Sequence, residues 1–429
     1  MPEAKAPQEI MRILIYGINY APELTGIGKY TGEMGGWLAH RGHDVHVITA
    51  TPYYPMWKKT KGYSNRWWRH EIIDGARVYR CPLYIPKKVT AGRRILHEFS
   101  FVAAMFPAWV VSLFKRKYDA VICISPPFHL GLLPLLYARI RRTNLIVHVQ
   151  DLQVDAAKDL GMINNRRFLN IMFRLEKYIL KNSTAVSTIS PGMQQKIEAK
   201  GIAASRMIMF PNWVDEQAIR PLPKELSLRA EFGVAEDEKV ILYSGNLGEK
   251  QGLEIIIEVA KHFAGRPHLR FIITGSGGGK SRLEALTREA GLTNVSFFPL
   301  QPYKKLSALL ATADVHLVLQ KKSAADLVMP SKLVSILAAG GCPIVTALPG
   351  SSLHDVIDKY HAGIIIEPEN ALALQQGIEQ ALAADLDQYK ANARRYAEEF
   401  LSKENIMLHW EGALRQIVNA GNGTAAEKY

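Results

Sequence analysis

Cysteine is scarce in this chain and nowhere clustered: Cys81, Cys123 and Cys342 lie far apart in apolar or turn-like stretches. That spacing excludes a disulfide framework and a cysteine zinc site, so all three thiols read as reduced packing residues of an intracellular protein. The 13 histidines show no metal-ligand spacing, and no bound metal is expected. Residues 1–9 are polar and lack an apolar core, so no secretory signal is expected and residues 1–10 read as a disordered extension. Short repeats and low-complexity tracts are missing too, which excludes solenoid and fibrous classes. The glycines after the first strand, Gly17, Gly26 and Gly28, are not spaced as G-x-G-x-x-G directly behind it. That excludes a nicotinamide dinucleotide site.

Negative charge is what the first half has little of. Residues 1–200 carry 29 Lys and Arg against 14 Asp and Glu, or +15, whereas residues 201–429 carry 24 against 26, or −2, which together give +13. Such a basic half suits nucleic acid or an anionic membrane surface. The apolar stretch 99–114, FSFVAAMFPAWVVSLF, decides between them, with Arg93 and Arg94 before it and Lys115, Arg116 and Lys117 after it. At sixteen residues with Pro107 inside it is short of the ~20 that cross a bilayer. It reads as a core helix, an interfacial segment, or both on its two faces. A peripheral place on the inner face of the cell membrane is therefore expected, and nucleic acid is not.

A chain of 429 residues exceeds one comfortable hydrophobic core, so two domains are expected. Strands at 12–16, 45–49, 77–81, 120–124, 145–149 and 184–189 alternate with helical segments, which predicts an α/β first domain over 11–209. Proline-rich residues 210–223 read as a linker. A second α/β domain covers 224–400, a helix over 401–420 crosses back to the first domain, and 421–429 is a tail.

The strongest chemical signal is DLVMPSKLVSILAAGGCPIV at 326–345. A loop ending in Pro330, Ser331 and Lys332 enters a short apolar helix, which places free N–H groups, a hydroxyl and an ammonium at one helix start. That arrangement favours a phosphate. Two further strand ends lead into glycine loops, SGNLGEKQG at 244–252 and GSGGGK at 275–280, each with a lysine. All three turns are expected to converge on one polyanion at the carboxyl edge of a parallel sheet.

Two alternating halves, the Gly26-Ile27-Gly28 loop, PNWVD at 211–215, SGNLGEKQG and PSKLVSILAAGGCPIV together resemble the GT-B glycosyltransferases of family 4. The likeness runs over roughly residues 11–418 and is to bacterial exopolysaccharide enzymes of the colanic acid fucosyltransferase type. It implies two Rossmann-like domains facing a central cleft, and a retaining transfer from a GDP- or UDP-sugar to a lipid-linked acceptor. In residues, it implies Gly26 and Gly28 near the donor phosphates from the first domain. Asn246 and Gln251 stand where the family usually carries Arg and Lys, with Lys250 as a substitute cation. The backbone of Met329, Ser331 and Lys332, around Pro330, is expected to hold phosphate and sugar.

The family's paired glutamates fall on Leu327 and Ser335 here. Asp326 is the substitute proposed for the first, and Ser335 makes a weaker hydrogen bond to ribose. Asp151, at a strand's carboxyl edge, is the candidate to orient or deprotonate the acceptor hydroxyl. His129 is a second candidate whose plainer role is packing or capping. Glu176, beside Arg174 and Lys177, reads as a structural ion-pairing residue. Tyr53, Tyr54, Trp57, Trp67 and Trp68 suit acceptor sugars, a lipid interface or domain packing. Two rival readings stay open. One is a GT-B-fold sugar-nucleotide epimerase, and the other a non-catalytic membrane-docked nucleotide-binding subunit.

Overall fold

Runs of consecutive apolar, often β-branched residues are the signature of strands buried on both faces of a parallel sheet. A computed structural model of the chain describes residues 9–23, 26–159, 165–322 and 330–426. It divides into two units, Met1–Phe210 with Met407–Tyr429, and Pro211–Ile406.

In the first unit the elements run β1 (Arg12–Tyr16), α1 (Gly26–His40), β2 (Asp44–Ala50), β3 (Arg69–Ile73), β4 (Ala76–Cys81) and α2 (Ala91–Phe114). Next come β5 (Ala120–Ser125), α3 (Leu132–Arg141), β6 (Asn144–Val149), α4 (Gln153–Asp159), α5 (Arg166–Asn182), β7 (Ala185–Thr188), α6 (Pro191–Ala199) and β8 (Met207–Met209). Among the described residues they form one eight-stranded sheet in the order β3-β4-β2-β1-β5-β6-β7-β8. Only β3 is antiparallel to its neighbour. The connections reverse direction between β1 and β5, so their carboxyl ends flank a switch point where such sheets bind ligands.

The second unit contains β9 (Lys239–Asn246), α7 (Glu254–His262), β10 (Leu269–Ser276), α8 (Lys280–Glu289), β11 (Val295–Phe298), α9 (Leu306–Ala311) and β12 (Val315–Val318). It continues through α10 (Ser331–Ala338), β13 (Pro343–Thr346), α11 (Ser352–Tyr360), β14 (Ile364–Ile366), α12 (Ala371–Ala383) and α13 (Leu386–Phe400). A last helix, α14 (Lys403–Ala426), begins in this unit and from Met407 belongs to the first. Among the described residues the second unit's six parallel strands are ordered β11-β10-β9-β12-β13-β14. This is the doubly wound Rossmann order, with its switch point between β9 and β12. The sheet is buried under Ile256, Phe263 and Leu374 on one face and Leu333, Leu337 and Ile357 on the other.

Several sequence expectations need correction. Strand β3 is absent from the strands expected of the sequence, yet it pairs with β4 through Asp74-Gly75, both with positive φ, the geometry of a tight hairpin. Gly26-Ile27-Gly28 is the first turn of α1 rather than a loop. Ser244, Gly245 and Asn246 belong to β9 rather than to the turn behind it. Helix α2 has 24 residues, not sixteen, because Arg93, Arg94, His97 and Glu98 extend its amino end. By length and composition its Gly92–Phe114 stretch passes as a membrane span, although one side of it is packed on protein. Finally, α14 continues through 421–426, which the sequence reading left as tail. The three cysteines are free and buried.

Candidate active site

In the second unit, the predicted phosphate turns meet. The loops behind β9 and β10 are stitched by Leu247 N–H donating to Ser276 O at 2.9 Å and Gly279 N–H donating to Leu247 O at 2.8 Å. Gly245 and Gly275 face each other across the two strands. A Cβ on Gly275, whose φ is +151°, would lie 1.8 Å from Gly245 O. Only glycine lets these backbones approach so closely. Gly275→Ala is therefore expected to cost about 1–3 kcal/mol of stability and to weaken nucleotide binding. Urea unfolding and calorimetry measure both, and a variant equal to the native chain in each would remove this account.

Lys332, on the first turn of α10, reaches the same strand end. Its ammonium donates to Tyr243 Oη at 2.7 Å and lies 3.9 Å from that ring's centroid. Tyr243 in turn donates to Asn246 O at 2.8 Å. The ammonium also lies 3.5 Å from where a Gly245 side chain would start. No carboxylate pairs with it among the described residues. Burial without a counter-charge pushes its pKa down to about 7, which an arriving anion reverses. Pro330 is the N-cap of α10 and supplies no side-chain cap, so the N–H groups of Ser331 and Lys332 stand ahead of the helical ladder. Ser335 sits one turn further along α10, half-buried.

Asn246 and Gln251 flank Gly248, whose Cβ position is 2.9 Å from Asn246 Nδ2 and 3.0 Å from Gln251 Oε1. The Gln251 Oε1 is buried without a hydrogen-bond partner, an acceptor left open at the site. Lys250 is on the same 3-10 turn, but its side chain lies outside what the structure describes. Asp326, Leu327 and Met329 lie outside the described residues. The lysine of the second glycine loop, Lys280, pairs instead with Glu284 along its own helix at 3.7 Å. A carboxylate one turn away has captured that charge.

The first unit gathers its polar groups at the carboxyl edge of its sheet. Glu23 is buried, and its carboxylate accepts from the backbone N–H groups of Tyr53 and Tyr54, each at 3.0 Å, and from Asn19 Nδ2 at 2.9 Å. Burial raises its pKa. A Cβ on Gly28 would lie 2.4 Å from this carboxylate, and Gly26 has φ +60° beside Tyr54. The two predicted glycines thus serve a loop anchored by Glu23. His129 is buried, its ring stacked on Phe99 at 4.4 Å and edge-on to Phe128. Burial holds its pKa down to about 4, so it is a neutral, weakly basic packing group at neutral pH.

Asp151 follows β6 and is partly exposed. Its charge helps raise the pKa of buried Glu176, after the larger effect of burial. Glu176 is indeed ion-paired, but to Lys200 of the following helix end, which also binds Asp155 at 2.5 Å. Arg174 and Lys177 are not its partners, because they lie on other faces of α5. Sequence reasoning missed Tyr243, Glu23 and Glu98. Glu98 is buried on α2 and receives Arg94 Nε at 3.2 Å and Gln153 Nε2 at 2.9 Å. Only the helix extension beyond the apolar run signalled it.

The profile described as "Glycosyl transferase 4-like domain" matches residues 25–213, and that described as "Glycosyl transferases group 1" matches 225–400. The putative colanic acid biosynthesis glycosyl transferase WcaI of Escherichia coli K12 is 43% identical over 95% of this chain and 99% of its own. The chain belongs to the GT-B glycosyltransferases of family 4. Among solved structures, sucrose-phosphate synthase of Thermosynechococcus elongatus aligns with a TM-score of 0.75 at 19% identity, over 96% of this chain and 100% of that one. Anabaena HepE, solved with UDP and glucose, aligns at 0.68 and 14%, over 95% and 100%. At those identities the likeness concerns the fold, two Rossmann-like domains. In this glycosyltransferase, the Lys332 ammonium stands at the β9 end with no carboxylate paired to it among the described residues.

Proposed function

We propose that this glycosyltransferase moves a sugar from a GDP- or UDP-linked donor to a lipid-linked oligosaccharide, with retention at the anomeric carbon, in exopolysaccharide synthesis at the inner face of the cell membrane. Fucose is the sugar to test first, given the sequence likeness. The observation that carries the reading is the half-buried Lys332 ammonium, without a carboxylate partner among the described residues, converging with Gly245 and the first turn of α10.

As the glycosidic bond breaks, negative charge gathers on the departing diphosphate. Lys332, the Ser331 and Lys332 N–H groups and Lys250 are assigned to meet that charge. Ser335 and Asp326 are assigned to ribose and donor sugar, and Asn246 and Gln251 to phosphate oxygens by hydrogen bonding. Asp151 orients the acceptor hydroxyl and takes its proton. The colanic acid role in the name of the E. coli relative supports the exopolysaccharide setting, and the UDP and glucose bound by HepE support a nucleotide-sugar donor.

A panel of GDP- and UDP-sugars, screened by thermal shift and then incubated with lipid-linked acceptor, tests this. A glycosylated lipid of retained anomeric configuration is the expected product. Nucleotide release without any glycosylated product, or no stabilisation by any nucleoside diphosphate, would overturn the reading.

A further inference from the structure

Helix α2 covers the first unit's sheet unevenly. Phe101, Met105 and Trp109 are buried under it, and the Trp109 indole N–H donates to Leu133 O at 2.7 Å. Towards its carboxyl end the helix leaves a cavity of about 450 Å³ over the β1, β2, β4 and β3 side of the sheet. Strand register sets Leu14 beside His46, Ile48 beside Tyr79, and Ile72 opposite Arg77, so these residues share one face of the sheet. Leu14 and Ile48, 1% and 5% exposed, form the floor, and Ala108 at 8% the roof. Ile72 and Val111, 74% and 52% exposed, form an apolar rim.

Interiors are close-packed, and a space of this size falls in the ~300–1,000 Å³ range of small-molecule sites. The floor and roof at Leu14, Ile48 and Ala108 are apolar, while His46, Ser112 and Tyr118 add polar groups to the lining. The mouth is cationic. Arg77 and Arg12 share the single carboxylate of Asp44, and Glu71 is engaged by Arg80 at 2.7 Å. Lys115, at the end of α2, has no acidic partner among the described residues. Beyond the rim, α2 continues apolar and outward through Phe106 and Phe114.

We propose that this cavity holds one hydrocarbon chain of an anionic amphiphile, acyl or isoprenyl, whose phosphate or carboxylate head pairs with Lys115 and Arg77. The assignment rests on the membrane-side lipid chemistry proposed above and specifies where a single chain enters the protein. Phospholipid of the bilayer and the polyprenyl part of an acceptor present the same chemistry, an apolar tail behind an anionic head.

The test uses the full chain and the fluorescent fatty acid cis-parinaric acid, competed separately by phosphatidylglycerol and by farnesyl phosphate. Saturable binding is expected, lowered by about tenfold or more in Ala108→Phe, whose ring occupies the volume the chain would fill. Lys115→Glu is expected to weaken binding by a smaller factor, about threefold, through its charge. Phe114→Asp, outside the cavity, is expected to lower capture on phosphatidylglycerol vesicles while leaving probe binding unchanged. Competition by farnesyl phosphate alone assigns the acceptor chain, and by phosphatidylglycerol alone the bilayer. Competition by neither overturns the proposal, as does full probe binding in an Ala108→Phe variant with native circular dichroism. Should that variant fail to fold, Val111→Trp on the exposed rim gives the same reading. Failure of the membrane reading shows as lost flotation with probe binding intact, whereas failure of the cavity shows as the reverse.

Discussion

Replacing Lys332 with alanine lowers affinity for nucleoside diphosphate about 10- to 100-fold, the loss of one charge-assisted contact worth ~1.5–3 kcal/mol. The ammonium is held by Tyr243 Oη and its ring, neither of which neutralises it, and the donor diphosphate proposed above would supply a counter-charge. Its pKa, pushed down to about 7 by burial, stands well below the ordinary 10.5. Between those values the unfolded chain binds the proton and the folded ligand-free chain does not, so this group makes ligand-free stability rise with pH above 7. Nucleotide has the opposite preference, because it favours the ammonium. Binding should take up a proton near pH 8, and affinity should fall with pH above 7 until the bound-state pKa is passed. Lys332→Arg, charged at all these pH values, should flatten the profile. Titration calorimetry in two buffers of different ionisation enthalpy measures the proton. No uptake at pH 8 together with native affinity in Lys332→Ala would dismantle the phosphate site.

Asp314→Ala should cost the second unit about 3–5 kcal/mol, because it strands a buried cation. Asp314 accepts from Arg229 Nη2 at 2.7 Å, Val240 N–H at 2.9 Å and Lys224 Nζ at 3.2 Å. Arg229 is itself buried, so the deletion leaves a guanidinium without its carboxylate at the base of β9 and β12. Although burial opposes the charged form, the Val240 N–H and the Lys224 and Arg229 charges outweigh it and hold the Asp314 pKa below its ordinary 3.8. The stability it adds is therefore complete above that ordinary value and is lost as pH falls through the folded one. Urea unfolding at pH 7 and at pH 3 should show a large gap between native and variant chains at the first and a smaller gap at the second. Equal midpoints at pH 7 would show that the pair contributes nothing net.

Local chemistry made much of this protein readable. Apolar runs marked the parallel strands, and the apolar helix and the strand expected on either side of Gly340-Gly341 are α10 and β13, although α10 takes in Ser331 and Lys332, which the sequence placed in the loop before it. The Asp74-Gly75 turn was also local and was passed over, because exposed β3 lacks an apolar alternation. Other features depended on distant partners. Lys280 looked equivalent to Lys332, yet Glu284 takes one and Tyr243 holds the other. Gly28 looked like a phosphate glycine, and its space is taken by Glu23. His129 looked titratable until Phe99 stacked on it.

By itself the sequence determined most of the strands and helices, β3 and the ends of α1, α2 and α14 excepted, that two α/β halves exist, and which strand ends carry glycine and lysine. Those properties are set by periodicity, turn chemistry and charge within a few residues. Tertiary structure alone decided which lysine keeps an unanswered charge, which buried carboxylates face the sheet edge, and that α2 stands off its sheet above an apolar hollow. Desolvation and pairing act over a few ångströms in space, between groups that the chain separates by tens of residues.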